Sequence, residues 1–161
     1  MRYYGRSSYD HSSAALTGIL LTNVGTPTAP TAQAVRPYLS QFLGDPRIIE
    51  YPRWIWWLLL NAIILNTRPR RSARLYQNVW TEAGSPLLVN LQRQSVALQT
   101  QLQERTGVAV PVAIGMRYGA PTIREAMRQL DQAGVRRLLI FPLYPQYSAT
   151  TTATAMDGVF A

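Results

Sequence analysis

Apolar positions fall into runs and periodic faces that outline an alternating fold. Thr17 to Val24 (TGILLTNV) rises from a polar stretch as a short apolar run and stops at Gly25-Thr26-Pro27, the pattern of a buried strand leading into a loop. Between Ala34 and Leu43, Val35, Leu39 and Phe42 share one helical face, and Gly44 and Pro46 supply the stop. Pro37 fits that helix only if it lies in the first turn, where a missing N–H costs nothing. A polar helix follows from about Pro69 to Val79. The longest helix is predicted over Leu87 to Arg105, with Leu87, Leu91, Leu98 and Leu102 along one side and Gly107 ending it.

Val108 to Met116 reads as a second strand. Pro111 cannot donate to a ladder, so the strand lies at an edge or begins properly after it. Thr122 and Glu125 have capping-box spacing ahead of Ile123, Ala126, Met127 and Leu130, and Gly134 closes that helix. Arg137 to Leu143 is a third strand, Tyr144 to Thr152 a hydroxyl-rich loop, and Thr152 to Ala161 the opening of another helix. Strands alternating with helices predict a parallel α/β sheet with right-handed crossovers. Three strands are few, and a helix at the end with no strand to lead into predicts that more chain follows. The polar residues 1–16 are expected to be a disordered tail. They carry no apolar run of a secretory signal, and His11, the single histidine, is assigned no ligand role.

The twelve-residue run Trp54 to Leu65 (WIWWLLLNAIIL) is too short for the roughly 20 residues of a membrane-spanning helix. A buried core helix and an interfacial anchor both fit it. Its tryptophans stand beside Arg68, Arg70, Arg71 and Arg74, as at a membrane boundary. Charge sharpens the question: the 161 residues carry a net charge of +8, and all 16 basic residues are arginine. Such a balance suits nucleic acid, an anionic membrane surface or a polyanionic small molecule. No nucleic-acid recognition motif is present, and no nucleic-acid partner is expected.

The absence of cysteine excludes disulfides, thiolate metal centres and a thiol nucleophile. In a parallel sheet, ligands bind beyond the carboxyl ends of the strands. Those ends offer Asn23, Arg117, Tyr118, Tyr144, Gln146, Tyr147 and Ser148, but no histidine or carboxylate for acid–base work. Asp45, Glu50, Glu82, Glu104, Glu125 and Asp131 are scattered without metal-ligand spacing. Ser148 and Thr150 lack a neighbouring base, and neither GxGxxG nor a P-loop occurs. Ser85 is placed to cap the long helix. Arg117, at a strand end, needs either an outside anion or a salt bridge to a neighbouring loop. Binding is better supported than bond making.

Five segments together closely resemble the amino-terminal half of ferrochelatase. They are GILLTNVGTP at 18–27, PYLSQFLGDPRII at 37–49, RPRRSARLYQNVWTEAGSPLL at 68–88, GMRYGAPTIREA at 115–126 and FPLYPQYSATTT at 141–152. The resemblance spans residues 17–161 and implies a Rossmann-like, three-layer chelatase fold, the first of two similar halves, with an apolar lid over about 50–80. It implies insertion of Fe2+ into protoporphyrin IX to form protoheme, with the porphyrin held between the halves. By match to the family's motifs, Arg68, Tyr76 and Ser85 would contact the porphyrin or its propionates, Arg117 and Tyr118 would line the cleft, and Tyr147 and Ser148 its floor. Asn23 and Val24 would approach the macrocycle from the first loop. Trp54 to Leu65 would be the lid that faces the membrane, which implies a cytoplasmic protein peripheral to the inner face of the plasma membrane. The family's metal-handling His and Glu belong to the second half, so no catalytic or metal residue is expected in this chain, and the chain alone is expected to be inactive. Ala149 stands where cluster-bearing members hold a cysteine, so no two-iron, two-sulfur cluster is expected and Fe2+ enters only as substrate. A non-catalytic tetrapyrrole-binding module is the alternative.

Overall fold

The computed structural model describes residues 15–161; the expected tail, including His11, lies outside them except for its last two residues, of which Leu16 opens the first strand. Three parallel strands, β1 (Leu16–Thr26), β2 (Val112–Gly119) and β3 (Val135–Pro142), form a sheet in the order β2-β1-β3. The chain leaves β1 toward β2 on one side and returns across β1 to β3 on the other. Right-handed crossovers in opposite directions require helices on opposite faces. They are there: α4 (Pro86–Thr106) covers one face and α5 (Ile123–Gln132) the other.

Alternation along β1 divides the core accordingly. Ile19 and Leu21 pack with Leu91 of α4 and with Val112 and Met116. Leu20 points the other way, into Ala113, Ile123, Ala126 and Leu130. At Gly115 an added Cβ would lie 2.8 Å from the Ile123 Cα, so the bare backbone is what lets α5 settle onto the strand. α5 begins with the anticipated capping box: Thr122 Oγ1 accepts from the Glu125 N–H at 3.1 Å, and the Glu125 carboxylate accepts from the Thr122 N–H at 2.7 Å.

Pro111 precedes β2 rather than interrupting it, and β2 is also an edge strand, so both conditions set by its sequence are met. Elsewhere the elements run past their sequence limits. α1 (Ala32–Gly44) starts early, capped by Thr31, and places Pro37 in its second turn rather than its first. Burial of Val35, Tyr38, Leu39 and Leu43 on one face outweighs the lost hydrogen bond. α2 (Arg53–Leu59) continues through a widened π turn at 60–64 into α3 (Leu65–Val79), with Pro69 inside α3 rather than at its start. A proline there leaves the Leu65 carbonyl without its helical donor. Arg36 Nη1 supplies one instead, at 3.2 Å, and also reaches Asn66 Oδ1 at 3.0 Å.

The segment from α2 to α3 docks on α1 through Leu60, Leu65 and Ala73, with Trp56, Ile64 and Tyr76 packed against them. Trp56 Nε1 donates to the Leu43 carbonyl at 2.7 Å and Arg53 to the Gly44 carbonyl at 2.6 Å, so the carbonyls at the end of α1 find partners in α2. The hydroxyl-rich loop is shorter than expected, because residues 149–153 coil into a π turn that leads into α6 (Thr154–Phe160).

Candidate functional site

In the order β2-β1-β3 the connections diverge at β1, so the crevice beyond its carboxyl end is where such a sheet binds ligands. Gly25 turns the chain there with φ +108°, a conformation that favours glycine. A Cβ at Gly25 would sit 1.8 Å from the Tyr118 carbonyl oxygen, so β1 and β2 approach this closely only because the side chain is absent.

The residues around this turn sort into three groups. Val24, Tyr76 and Tyr118 join one apolar cluster with Phe42, Ile48 and Trp56. Within it, Phe42 stacks on Tyr38 (6.1 Å between ring centres) and meets Tyr118 edge-on at 5.3 Å, while Tyr76 meets Tyr38 and Trp80 edge-on at 6.3 and 6.2 Å. Burial pushes the Tyr118 and Tyr144 phenols up to about 12, so both remain neutral at physiological pH. Among the described residues the buried Tyr144 hydroxyl finds no hydrogen-bond partner.

A polar group centres on Asp45, whose side chain is only 4% exposed. Its Oδ2 accepts from Arg117 Nη2 at 2.7 Å, Tyr118 Oη at 2.8 Å and Thr154 Oγ1 at 2.6 Å, and its Oδ1 from the Arg47 N–H at 2.8 Å. Burial, the largest influence, works to raise the Asp45 pKa, but these four donors together hold it below the usual carboxylate value. Arg117 also donates from Nε to Thr154 at 2.7 Å and lies 5.1 Å from the centre of the Tyr118 ring. Of the two fates open to Arg117 in the sequence, the structure takes the salt bridge to a neighbouring loop. Sequence reasoning missed Asp45 and Thr154. The missing signal is tertiary, since Asp45 lies 72 residues from Arg117 and reaches the strand ends from the α1–α2 connection.

The remaining candidates lie around these two groups. Ser85 is buried and accepts from Thr26 Oγ1 at 2.8 Å instead of capping a backbone N–H of α4; Pro86 at the first helical position is what starts that helix. Asn23 Oδ1 accepts from the Val24 N–H at 2.7 Å, shaping the strand end. Ser148 opens the π turn and pairs with Thr150 and Thr151, whereas Tyr147 is 73% exposed. Arg68 stands apart on the exposed side of α3, beside an open groove of about 570 Å³ shared with Ile64, Arg71 and Leu75.

Next to the aromatic cluster, Ile49, Tyr51, Trp56, Leu58 and Ile63 line an open apolar groove of about 530 Å³. Trp54 and Trp57 project outward, 76% and 65% exposed. Thus α2 is neither a core helix nor simply a surface one: one side docks on α1 and the other presents uncovered apolar surface. Among the described residues no helix is long and apolar enough to cross a membrane, and no group of three His, Cys, Asp or Glu could hold a metal ion.

The sequence model of the family described as Ferrochelatase matches residues 16–161. The chain is 54% identical over 159 residues to a ferrochelatase of Thioalkalivibrio sulfidiphilus, covering 99% of this chain and 43% of that protein. It is 52% identical to a ferrochelatase of Teredinibacter turnerae over 158 residues, covering 98% of this chain and 43% of the relative. It is likewise 52% identical to one of Chromobacterium violaceum, covering 99% and 44%. The chain therefore spans less than half the length of the curated relatives it matches. With an α/β parallel sheet and a family match across nearly all of its length, the chain belongs to the ferrochelatase family.

Proposed function

We propose that this chain forms one wall of a porphyrin cleft, and that it binds and bends protoporphyrin IX for the insertion of Fe2+. The observation that carries the reading is that Val24, Phe42, Ile48, Trp56 and Tyr76, each only partly buried, gather against the buried Tyr118 in one aromatic, apolar cluster. A flat macrocycle needs such a surface for its ring and cations for its acid tails. Arg68, exposed at the edge of its groove, is the residue we assign to a propionate, which a guanidinium grips with two parallel hydrogen bonds. Ser85 and Asn23 support the first loop, and Tyr147 with Ser148 forms the floor. Arg117 and Tyr118, already held by Asp45, line the cleft from beneath.

Ring distortion of this kind draws about 1 to 5 kcal/mol from contacts remote from the reacting nitrogens. The groups that accept the two pyrrole protons and deliver iron belong, in this reading, to polypeptide other than these residues. Fe2+ is substrate, and the proposal includes no cofactor. The exposed side of α2, with Trp54 and Trp57 uncovered and Arg68, Arg70, Arg71 and Arg74 following in α3, rests on the inner face of the plasma membrane, from which an apolar porphyrin enters.

Arg68→Ala tests the assignment of the acid grip. In this chain, and at the matching position of a full-length relative, we expect porphyrin affinity to fall about tenfold, the effect of losing one charge-assisted contact. Unchanged affinity in both would remove Arg68 from the site.

A further inference from the structure

We infer that Asp45 is a positioning residue of the cleft, holding the apolar wall and the hydroxyl floor at a fixed separation through Arg117, Tyr118 and Thr154. The inference rests on the porphyrin reading above and deepens it. On the wall side, the Asp45 carbonyl accepts from the Ile48 and Ile49 N–H groups at 3.0 and 3.1 Å. That turn places Ile48 in the aromatic cluster and Ile49 on the groove beside Trp56. On the floor side, the same residue's carboxylate takes the Thr154 hydroxyl, the first residue of α6. The Ser148 carbonyl in turn accepts from the Ala153 N–H at 3.2 Å, so Asp45 connects to Ser148 through one short π turn.

A second grip parallels the first. Arg47 Nη2 donates to Asp157 Oδ1 at 3.0 Å, with Nε on the other carboxylate oxygen. Thr154 and Asp157 are three apart and share one side of α6. Residues 45 and 47 thus hold α6 at two points one turn apart. Arg117 is enclosed by the same arrangement: a Cβ on Gly158 would lie 3.3 Å from its Cδ, so α6 closes over the guanidinium stem.

Stability alone gives little reason for this design. A buried ion pair contributes no more than apolar residues of similar volume, because removing both charges from water offsets their attraction. What a carboxylate with four directed donors does provide is orientation, and a macrocycle seated against a wall and a floor needs the two held to about half an ångström.

Asp45→Asn keeps the size of the side chain and removes its charge; Thr154→Val removes one hydroxyl. Protoporphyrin IX is titrated into the wild-type chain and both variants, reading affinity and the Soret-region circular dichroism of the bound ring, with far-ultraviolet circular dichroism to confirm folding. We expect Asp45→Asn to weaken binding about tenfold and to alter the Soret signal, and Thr154→Val to move both the same way by about threefold, as losses of charged hydrogen bonds do. Adding Arg117→Gln to Asp45→Asn should cost less than the sum of the two, since all act through one network. If Asp45→Asn does not fold, Thr154→Val carries the test. Folded variants that bind with wild-type affinity and an unchanged Soret signal would reduce Asp45 to a fold residue and overturn the inference. No saturable binding by the wild-type chain would instead overturn the porphyrin reading itself.

Discussion

The carboxylate of Asp45 accepts from three side chains and one backbone N–H, and its titration has a definite sign. Its folded pKa lies below 3.8, so the stability it contributes is fully present above that ordinary value and is lost as pH falls through the folded pKa. The urea midpoint of the wild type should therefore drop more steeply below about pH 4 than that of Asp45→Asn; parallel profiles would contradict the network. Removing the carboxylate altogether takes from the Arg117 guanidinium the carboxylate it pairs with, and Asp45→Ala should cost about 3 kcal/mol in chemical denaturation. Gly25 is a second sensitive position. Gly25→Ala would place a methyl 1.8 Å from the Tyr118 carbonyl oxygen at φ +108°, and a loss of about 3 kcal/mol or more is expected, read as a lowered melting temperature. Arg117 was recognisable in the sequence as a cation that needs a partner, but the partner was not, because nothing local to Asp45 marks it as reaching across to β2.

Helices and strands were legible where local chemistry and packing agree. The capping box at Thr122 and Glu125 and the left-handed Gly107 at the end of α4 are backbone signals that act within one turn, and both occur as read. Thr122→Ala should cost about 1 kcal/mol, measured by thermal unfolding. Prolines misled the boundaries. Pro37 and Pro69 each lie inside a helix, since tertiary contacts compensate: α1 buries a whole face, and Arg36 takes the carbonyl that Pro69 leaves bare. The apolar run 54–65 could not be resolved by periodicity, because it serves two surroundings at once. Leu60 and Leu65 are buried against α1, whereas Trp54 and Trp57 are uncovered. If that uncovered side rests on lipid, Trp54→Ser with Trp57→Ser should strongly reduce sedimentation with vesicles of phosphatidylglycerol and phosphatidylethanolamine while leaving the melting temperature unchanged. Undiminished binding would exclude α2 as the contact.

Across the molecule, the order β2-β1-β3 converts a list of motifs into a place. Strand ends that are distant in sequence meet beside Gly25, and the aromatic cluster and the Asp45 network lie next to each other there. The α/β class and the position of the crevice follow from the alternation of elements, which sequence alone displays. Which side chains meet one another within it does not, since that depends on how α1, α2 and α6 close over the strand ends. The central claim is that these residues hold the ring while other polypeptide performs the metal transfer. It is tested most directly by adding protoporphyrin IX and then Fe2+, without oxygen, to the purified 161-residue chain and following the absorption spectrum. The account predicts saturable binding of one porphyrin per chain whose spectrum stays that of the free base after iron is added. Conversion to the heme spectrum at a rate above that of iron and porphyrin alone would contradict it.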